Sequence, residues 1–302
     1  MMNLKTLAVC FCLLITTAPA AKAALRVFAC EPEWAALAEE IGGEAIKAES
    51  ATQSMQDPHY IEARPSLIAG VRKADLVVCT GAQLEVGWLP MLLNKANNPA
   101  VQPGKDGFLE ASAYVKRLDV PTSLDRSQGD VHPQGNPHVQ VNPHNIALIA
   151  KALGERMALL DSAEAARYNS GLQDFLLRWE KATQEWDARA DPLRGKRVVA
   201  YHKSWAYLED WLGLVELATL EPVPGIPPTA THLANVLSQL EAEGGANFII
   251  YAPYQSAKPG QWLSDRTKIP LKMLPMTVGG SEETEDLFGL FNEILNQLLG
   301  TE

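Results

Sequence analysis

The run DSAEAARYNSGLQDFLLRWEKATQEWDARAD, residues 161–191, decides the fold class. It has no proline until Pro192, and its apolar and aromatic side chains recur near helical spacing, namely Tyr168, Leu172, Phe175, Leu176, Trp179 and Trp186. A single helix of about 28 residues, at 1.5 Å rise per residue, would be roughly 40 Å long. This length matches two small stacked lobes, so we expect one helix to join them and its aromatic face to pack in a core.

Strand-like and helix-like segments alternate on both sides of this helix. Before it, the predicted strands are 25–30, 45–49 and 75–80, and the predicted helices are 32–41, 65–74 and 84–96. After it, the predicted strands are 196–202, 214–221, 247–253 and 271–277, and the predicted helices are 204–212, 229–243 and 283–299. This order is typical of parallel sheets covered on both faces. The predicted fold is α/β: two doubly wound parallel-sheet lobes, residues 24–160 and 192–302, joined by one long rigid helix, residues 161–191.

The N-terminus has the pattern of an export signal. Lys5 precedes an apolar run over residues 7–15, and Ala21-Lys22-Ala23 fits a cleavage site. The apolar run is shorter than the roughly 20 residues that a membrane-spanning helix needs. No cysteine follows the run in a position to carry a lipid anchor. We therefore predict a signal peptide over residues 1–23 and a soluble periplasmic protein.

The charge of the predicted mature chain narrows the classes of partner. Without Lys5 and Lys22 the chain holds 24 Lys and Arg against 36 Asp and Glu. An acidic protein of this kind is not expected to bind nucleic acid or an anionic membrane surface, and it suits the handling of cations.

Three of the six histidines fall where predicted strands end. His59 follows a strand, and His202 ends the first strand of the second lobe. His138 lies in GDVHPQGNPHVQVNPHN, residues 129–145, where Val139 and Val141 follow it at strand spacing. Parallel sheets bind ligands beyond the carboxyl ends of their strands, so these imidazoles are expected to converge in the cleft between the lobes. Three neutral imidazoles bind zinc at about 2.0–2.1 Å and leave one position for a carboxylate or water.

Five segments occur in an order that resembles a known family: DPHYIEARPS, NPHVQVNPHN, YHKSWAYLEDWLGL, LEPVPGIPP and LPMTVGG. The ordered set is similar to the zinc/manganese-binding class of solute-binding proteins that serve ABC importers, over nearly the whole mature chain. The resemblance implies that His59, His138 and His202 are metal ligands. It also implies a receptor rather than an enzyme, which captures Zn(II) and docks on an inner-membrane permease. Mn(II) is less favoured because it prefers more oxygen ligands. We further expect a monomer.

The identity of the fourth ligand stays open. Many relatives place Asp or Glu in the segment that here reads LPMTVGG, residues 274–280, whereas Pro275 and Met276 offer no side-chain oxygen. Glu221, at the end of the strand after His202, is the best substitute. A water molecule in the fourth position and a solvent-facing Glu221 are the alternatives.

The loop before His138 has little means of burying apolar area. Over residues 121–137 it is rich in Pro, Ser, Asp and Gly, and we expect a loosely ordered segment. Asp130 and His132 are predicted to capture metal transiently, or to accept it from a periplasmic metal donor protein. The alternative is an ordinary solvated loop.

The remaining histidines and cysteines have structural interpretations. His144 is expected to be a capping or surface residue, and His232 to lie on the solvated face of its helix. Cys30 and Cys79 close strands that a doubly wound sheet places side by side, about 4.8 Å apart, in an oxidising compartment. We predict a disulfide between them, with two buried free thiols as the alternative.

Two rival functions follow from the same residues. The first is a zinc hydrolase that uses the three histidines and an open metal position. The chain has no HExxH-like spacing, and Glu62 and Glu221 are the only nearby carboxylates available as a base. The second is an adhesin or interaction module, which would use surface patches rather than a cleft.

Overall fold

The structure, a computed structural model, describes residues 23–122 and 132–300. Residues 1–22 of the predicted signal peptide, and Asp130 in the predicted capture loop, lie outside the described residues. No helix in the described ranges is both long and apolar enough to cross a membrane.

The first lobe is built on a four-stranded parallel sheet. Its strands are β1 (Leu25–Ala29), β2 (Ile46–Ser50), β3 (Leu76–Cys79) and β4 (Phe108–Glu110), in the order β2-β1-β3-β4. Its helices are α1 (Pro32–Gly42), α2 (Pro65–Lys73), α3 (Leu89–Ala96) and α4 (Pro143–Leu160). Each of these four helices carries a proline in its first turn, where the missing N–H costs no hydrogen bond.

A helix of 26 residues, α5 (Ala165–Ala190), follows the first lobe. Four of its aromatic residues are buried, namely Tyr168, Phe175, Trp179 and Trp186. Indole Nε1 of Trp179 donates to the carbonyl of Pro143 in the first lobe (2.8 Å), and Nε1 of Trp186 donates to Asn292 of the second (2.9 Å). One apolar core runs through both lobes and this helix. The predicted linker helix and its core-packing aromatic face are confirmed.

The second lobe repeats the plan of the first. Its strands are β5 (Arg197–Ala200), β6 (Val215–Thr219), β7 (Phe248–Tyr251) and β8 (Leu271–Met273), all parallel in the order β6-β5-β7-β8. Its helices are α6 (Ala206–Leu212), α7 (Ala230–Glu243), α8 (Ala257–Thr267) and α9 (Leu287–Leu299). The predicted fold class, two parallel-sheet lobes joined by a long helix, is therefore confirmed.

The two cysteines of the described chain form a disulfide. Strands β1 and β3 are neighbours in the sheet, which brings Cys30 and Cys79 to a Cα separation of 4.7 Å. Both side chains are fully buried. The predicted bridge is present, and it closes a loop between residues 49 positions apart.

Two local predictions are wrong. Val139 and Val141 form a short 3₁₀ turn rather than a strand, because the chain must turn there to enter α4, which Asn142 caps by accepting from the His144 N–H (2.9 Å). His232 does not lie on a solvated face: it is half-buried, and its Nε2 donates to the carbonyl of Thr219 (2.8 Å), which links α7 to β6. His144 is exposed, as expected.

Candidate metal centre

Three histidines from distant segments meet between the lobes. His59 lies in the loop after β2, His138 lies just before α4, and His202 follows β5. One ring nitrogen of each lies within 4.8 Å of those of the other two. The ring centroids are 5.4 Å (His59 to His138), 5.7 Å (His59 to His202) and 6.0 Å (His138 to His202) apart. The geometry fits three nitrogen ligands around one ion.

Two of the three imidazoles have a carboxylate partner. Nδ1 of His59 lies 2.7 Å from Oδ1 of Asp57, which also accepts from the His59 main-chain N–H (3.0 Å). Nδ1 of His202 lies 2.7 Å from Oε2 of Glu221. A carboxylate on Nδ1 favours the tautomer with the proton on that atom, and it leaves Nε2 with a lone pair for a metal. Asp57 was missed in the sequence, although it stands two residues before His59 in the DPH motif.

Glu221 contacts one of the three clustered imidazoles and lies outside the cluster itself. The same carboxylate oxygen that contacts His202 accepts the main-chain N–H of Gly225 (3.0 Å). It is not one of the three residues whose ligand atoms converge. The structure thus brings Glu221 to the site, against the imidazole of His202, and it is largely buried there rather than facing solvent.

Within the part of the chain that the structure describes, neither ring nitrogen of His138 has a hydrogen-bond partner, and both atoms are buried. Only 1% of the residue is exposed. Burial, and then the neighbouring His59, His202 and His132, hold the pKa of His138 well below its usual range, so its imidazole is neutral. A buried polar atom without a partner costs about 1–3 kcal/mol, and a metal ion would remove that cost at one of the two nitrogens. This is the structural observation that points most directly to a ligand.

His132 reaches the same place from the preceding loop. Its Nε2 lies 3.3 Å from Nε2 of His59, and the two rings are 5.4 Å apart. The structure therefore offers a fourth imidazole beside the three that strand positions predicted. In the segment LPMTVGG, Met276 is buried in the core, and Thr277 donates to the buried carboxylate of Glu33 (2.5 Å).

The electrostatic surroundings favour a cation. Burial alone would raise the pKa of the Asp57 carboxyl. Its hydrogen bonds with His59 outweigh that effect and lower the pKa. A cavity of 430 Å³ opens beside His132, His138 and His202, and acidic residues lie along its wall. Among them, Glu216 lies 4.0 Å from Lys203 Nζ.

Comparison with known proteins identifies relatives of this chain. A family profile described as zinc-uptake complex component A, periplasmic (ZnuA), matches residues 27–300. The chain is 24% identical over 195 residues to the high-affinity zinc uptake system protein ZnuA of Yersinia pestis, a match that spans 61% of each protein. It is 22% identical over 264 residues to the manganese ABC transporter substrate-binding lipoprotein PsaA of Streptococcus anginosus, over 87% of this chain and 83% of that protein.

Solved structures share the fold. A crystal structure of ZnuA superposes with a TM-score of 0.74 at 21% identity and covers 91% of this chain and 99% of its own. A Mn-bound mutant of a periplasmic metal binding protein from Candidatus Liberibacter asiaticus gives a TM-score of 0.74 at 14% identity, over 91% and 98% of the two chains.

Fold, profile and imidazole cluster together define the class: zinc/manganese-type periplasmic solute-binding proteins of ABC importers. Within that class the chain belongs to the ZnuA family of periplasmic zinc-uptake components. This is a family of binding receptors rather than enzymes.

Proposed function

We propose that this protein captures Zn(II) in the periplasm through His59, His138 and His202 and delivers it to an ABC-type permease of the inner membrane. The observation that carries the proposal is the convergence of one ring nitrogen from each of the three imidazoles, together with the buried ring nitrogens of His138, which have no hydrogen-bond partner among the described residues. Zinc accepts such a set of nitrogen ligands in tetrahedral geometry. The metal is cargo in this account, and the chain is exported, soluble and monomeric.

Ligand chemistry supports zinc over manganese. Mn(II) favours carboxylate and water oxygens, whereas imidazole suits zinc, copper and nickel. The carboxylates nearest the cluster, Asp57 and Glu221, are engaged with ring nitrogens of His59 and His202. One relative is named for zinc and another for manganese, so the donor set of this chain decides the proposal.

Two arrangements complete the coordination shell in this account. In the first, His132 or a water molecule takes the fourth position, and Glu221 stays on His202. In the second, Glu221 turns from His202 to the metal as the fourth ligand. We favour the first, because Glu221 is also fixed by the N–H of Gly225. His132 and Asp130 also remain the proposed capture residues for metal from solution or from a donor protein.

No observation favours a hydrolase. Glu221 is held by His202 and Gly225, and Glu62 is exposed on its loop. Neither is placed as a free base beside an open metal position.

The proposal is tested by metal analysis of protein purified from its own periplasm, followed by competition titration with chelators for Zn(II) and Mn(II). We expect one zinc per chain and far tighter binding of zinc than of manganese. Deletion of the gene should impair growth when zinc is chelated, with rescue by the parent chain but not by His138→Ala. Equal or tighter manganese binding, or rescue by His138→Ala, would contradict the proposal.

A further inference from the structure

The side-chain amide of Asn136 connects the main chain at His138 with the main chain next to His202. Oδ1 of Asn136 accepts the N–H of His138 (3.1 Å), and Nδ2 of Asn136 donates to the carbonyl of Lys203 (2.8 Å). Lys203 follows His202 directly in the chain. A single planar group thus spans the boundary between the first lobe, which carries His138, and the second lobe, which carries His202.

The chemistry of the two partners fixes the orientation of this amide. A main-chain N–H can only donate, and a carbonyl can only accept, so the oxygen must face His138 and the nitrogen must face Lys203. Asn136 is only 7% exposed, which leaves little room for water to replace either bond. The second amide hydrogen faces Oδ2 of Asp119 at 3.3 Å.

The main chain of Asn136 is held as firmly as its side chain. Its N–H donates to the carbonyl of Leu118 (2.8 Å), and its carbonyl accepts the hydroxyl of Tyr207 (2.9 Å). That hydroxyl in turn accepts the N–H of Leu118 (3.1 Å). Tyr207 lies buried on α6 of the second lobe. The contact is therefore a closed ring of hydrogen bonds that includes residues of both lobes.

The position of one lobe relative to the other affects the geometry of the cluster, because the three histidines are divided between the two lobes. His59 and His138 belong to the first lobe, and His202 alone belongs to the second. A small displacement of the lobes would change both distances from His202 while leaving the distance from His59 to His138 intact. Such a displacement would move His202. The hydrogen bond from Asn136 holds Lys203, the next residue in the chain.

We propose that Asn136 is a positioning residue that holds His138 and His202 at a common metal distance across the lobe interface. The inference rests on the proposed metal-binding function. Outer-layer residues of metal sites commonly alter affinity by about 10–100-fold when they are changed. A purely local role, as a turn-forming residue that caps the His138 N–H, is the competing explanation.

Asn136→Asp separates the two explanations. Aspartate keeps an oxygen for the His138 N–H, but it cannot donate to Lys203, and it sets a carboxylate against that carbonyl and beside Asp119. The added negative charge alone would strengthen cation binding, so a weaker zinc complex must come from lost positioning. Asn136→Ala removes both bonds, and Tyr207→Phe removes only the hydroxyl that holds the Asn136 main chain.

Asn145→Ala is the matched control. Asn145 is a buried asparagine whose Nδ2 donates to the carbonyl of Val139 (3.0 Å), next to His138 but entirely within the first lobe. Its loss should lower the unfolding temperature without changing the relation between His138 and His202. Circular dichroism on all variants identifies any that fail to fold, and Tyr207→Phe carries the test if Asn136→Asp is one of them.

The measurements are zinc competition titration and the visible absorption spectrum of the Co(II)-loaded protein, which reports ligand geometry. We expect Asn136→Asp and Asn136→Ala to weaken zinc binding by about tenfold or more and to change the Co(II) spectrum. Tyr207→Phe should change both in the same direction by a smaller amount, and Asn145→Ala should change neither. Parent-like affinity and spectrum in the folded Asn136 and Tyr207 variants would overturn the inference. Failure of the parent itself to bind zinc would instead overturn the proposed function.

Discussion

The carboxylate of Glu221 lies 2.7 Å from Nδ1 of His202, and Asp57 stands at the same distance from Nδ1 of His59. The two pairs come from different lobes, yet each fixes an imidazole in the same way. His138, between them, has no such partner within the described chain and is the most deeply buried of the three.

These pairs give the first prediction. Asp57→Ala and Glu221→Ala should each weaken zinc binding by about 10–100-fold, because the imidazole loses its fixed tautomer and orientation. Chelator competition on the purified variants measures the effect. Glu40→Gln, at a carboxylate of α1 that pairs with Arg178 of α5 (2.7 Å), is the control and should bind zinc nearly as the parent does. Parent-like binding by both alanine variants would show that the pairs do not orient the ligands.

His132 gives the second prediction. We expect His132→Ala to slow the loading of zinc from a chelate and to reduce equilibrium affinity less than His138→Ala does. Its Nε2 lies close to that of His59, but His132 is not one of the three residues whose ligand atoms converge. Stopped-flow loading and equilibrium titration separate the two effects. If His132→Ala lowered affinity as deeply as His138→Ala, His132 would be an obligatory fourth ligand.

The sequence predicted those parts of the molecule that repeat or alternate. Helical spacing in residues 161–191 and the strand-helix order were enough for the two lobes and the linker, and the end of the first strand of the second lobe was enough to place His202 in the cleft. The disulfide followed from the adjacency of two strands. Each of these rests on regular geometry that a local pattern carries.

The remaining features depend on contacts between distant residues. Asp57 and Asn136 look like ordinary loop residues until the lobes are placed together, and only then does Asn136 meet Lys203. The strand-like spacing of Val139 and Val141 was misleading for a related reason. Two valines at alternate positions suit a strand, but both are buried by a tight turn that leads into α4. Tertiary packing overrode the local preference there.

The disulfide gives the third prediction. Replacing Cys30 and Cys79 together by alanine should lower the free energy of unfolding by about 3–4 kcal/mol, because the unfolded chain loses a cross-link that closes a long loop. Urea unfolding of the metal-free protein measures the change. Zinc affinity should stay close to that of the parent, since neither cysteine contacts the three histidines. A large loss of affinity in a folded double variant would show that the bridge shapes the site.

The fourth prediction concerns a buried pair of carboxyls near the disulfide. Glu31 and Glu85 are 3% and 2% exposed. Burial raises the pKa of Glu85 to about 7, and burial together with Glu85 and Glu33 raises that of Glu31 well above its usual value. Between pH 4.5 and about 7 the folded chain therefore binds more protons than the unfolded chain. The stability that these two carboxyls contribute is fully present below this window, and the free energy of unfolding falls as the pH rises through it.

Glu85→Gln should accordingly flatten the pH dependence and raise the free energy of unfolding at pH 8 by on the order of 1–3 kcal/mol. Urea unfolding of the metal-free protein from about pH 5 to pH 8, across the window in which buried carboxyls titrate, checks this. Glu44→Gln, at an exposed glutamate, is the control and should leave the profile unchanged. An unchanged profile in Glu85→Gln would contradict the assignment.

The central claim is that three imidazoles, His59, His138 and His202, hold the zinc ion, and X-ray absorption at the zinc edge of the loaded protein tests it most directly. We expect a first shell of nitrogen and oxygen neighbours at about 2.0–2.1 Å, with outer-shell scattering from at least three imidazoles. In any of the three single alanine variants that still takes up zinc, one imidazole should be missing. A parent shell with fewer than three imidazoles, or an unchanged shell after His138→Ala, would contradict the account.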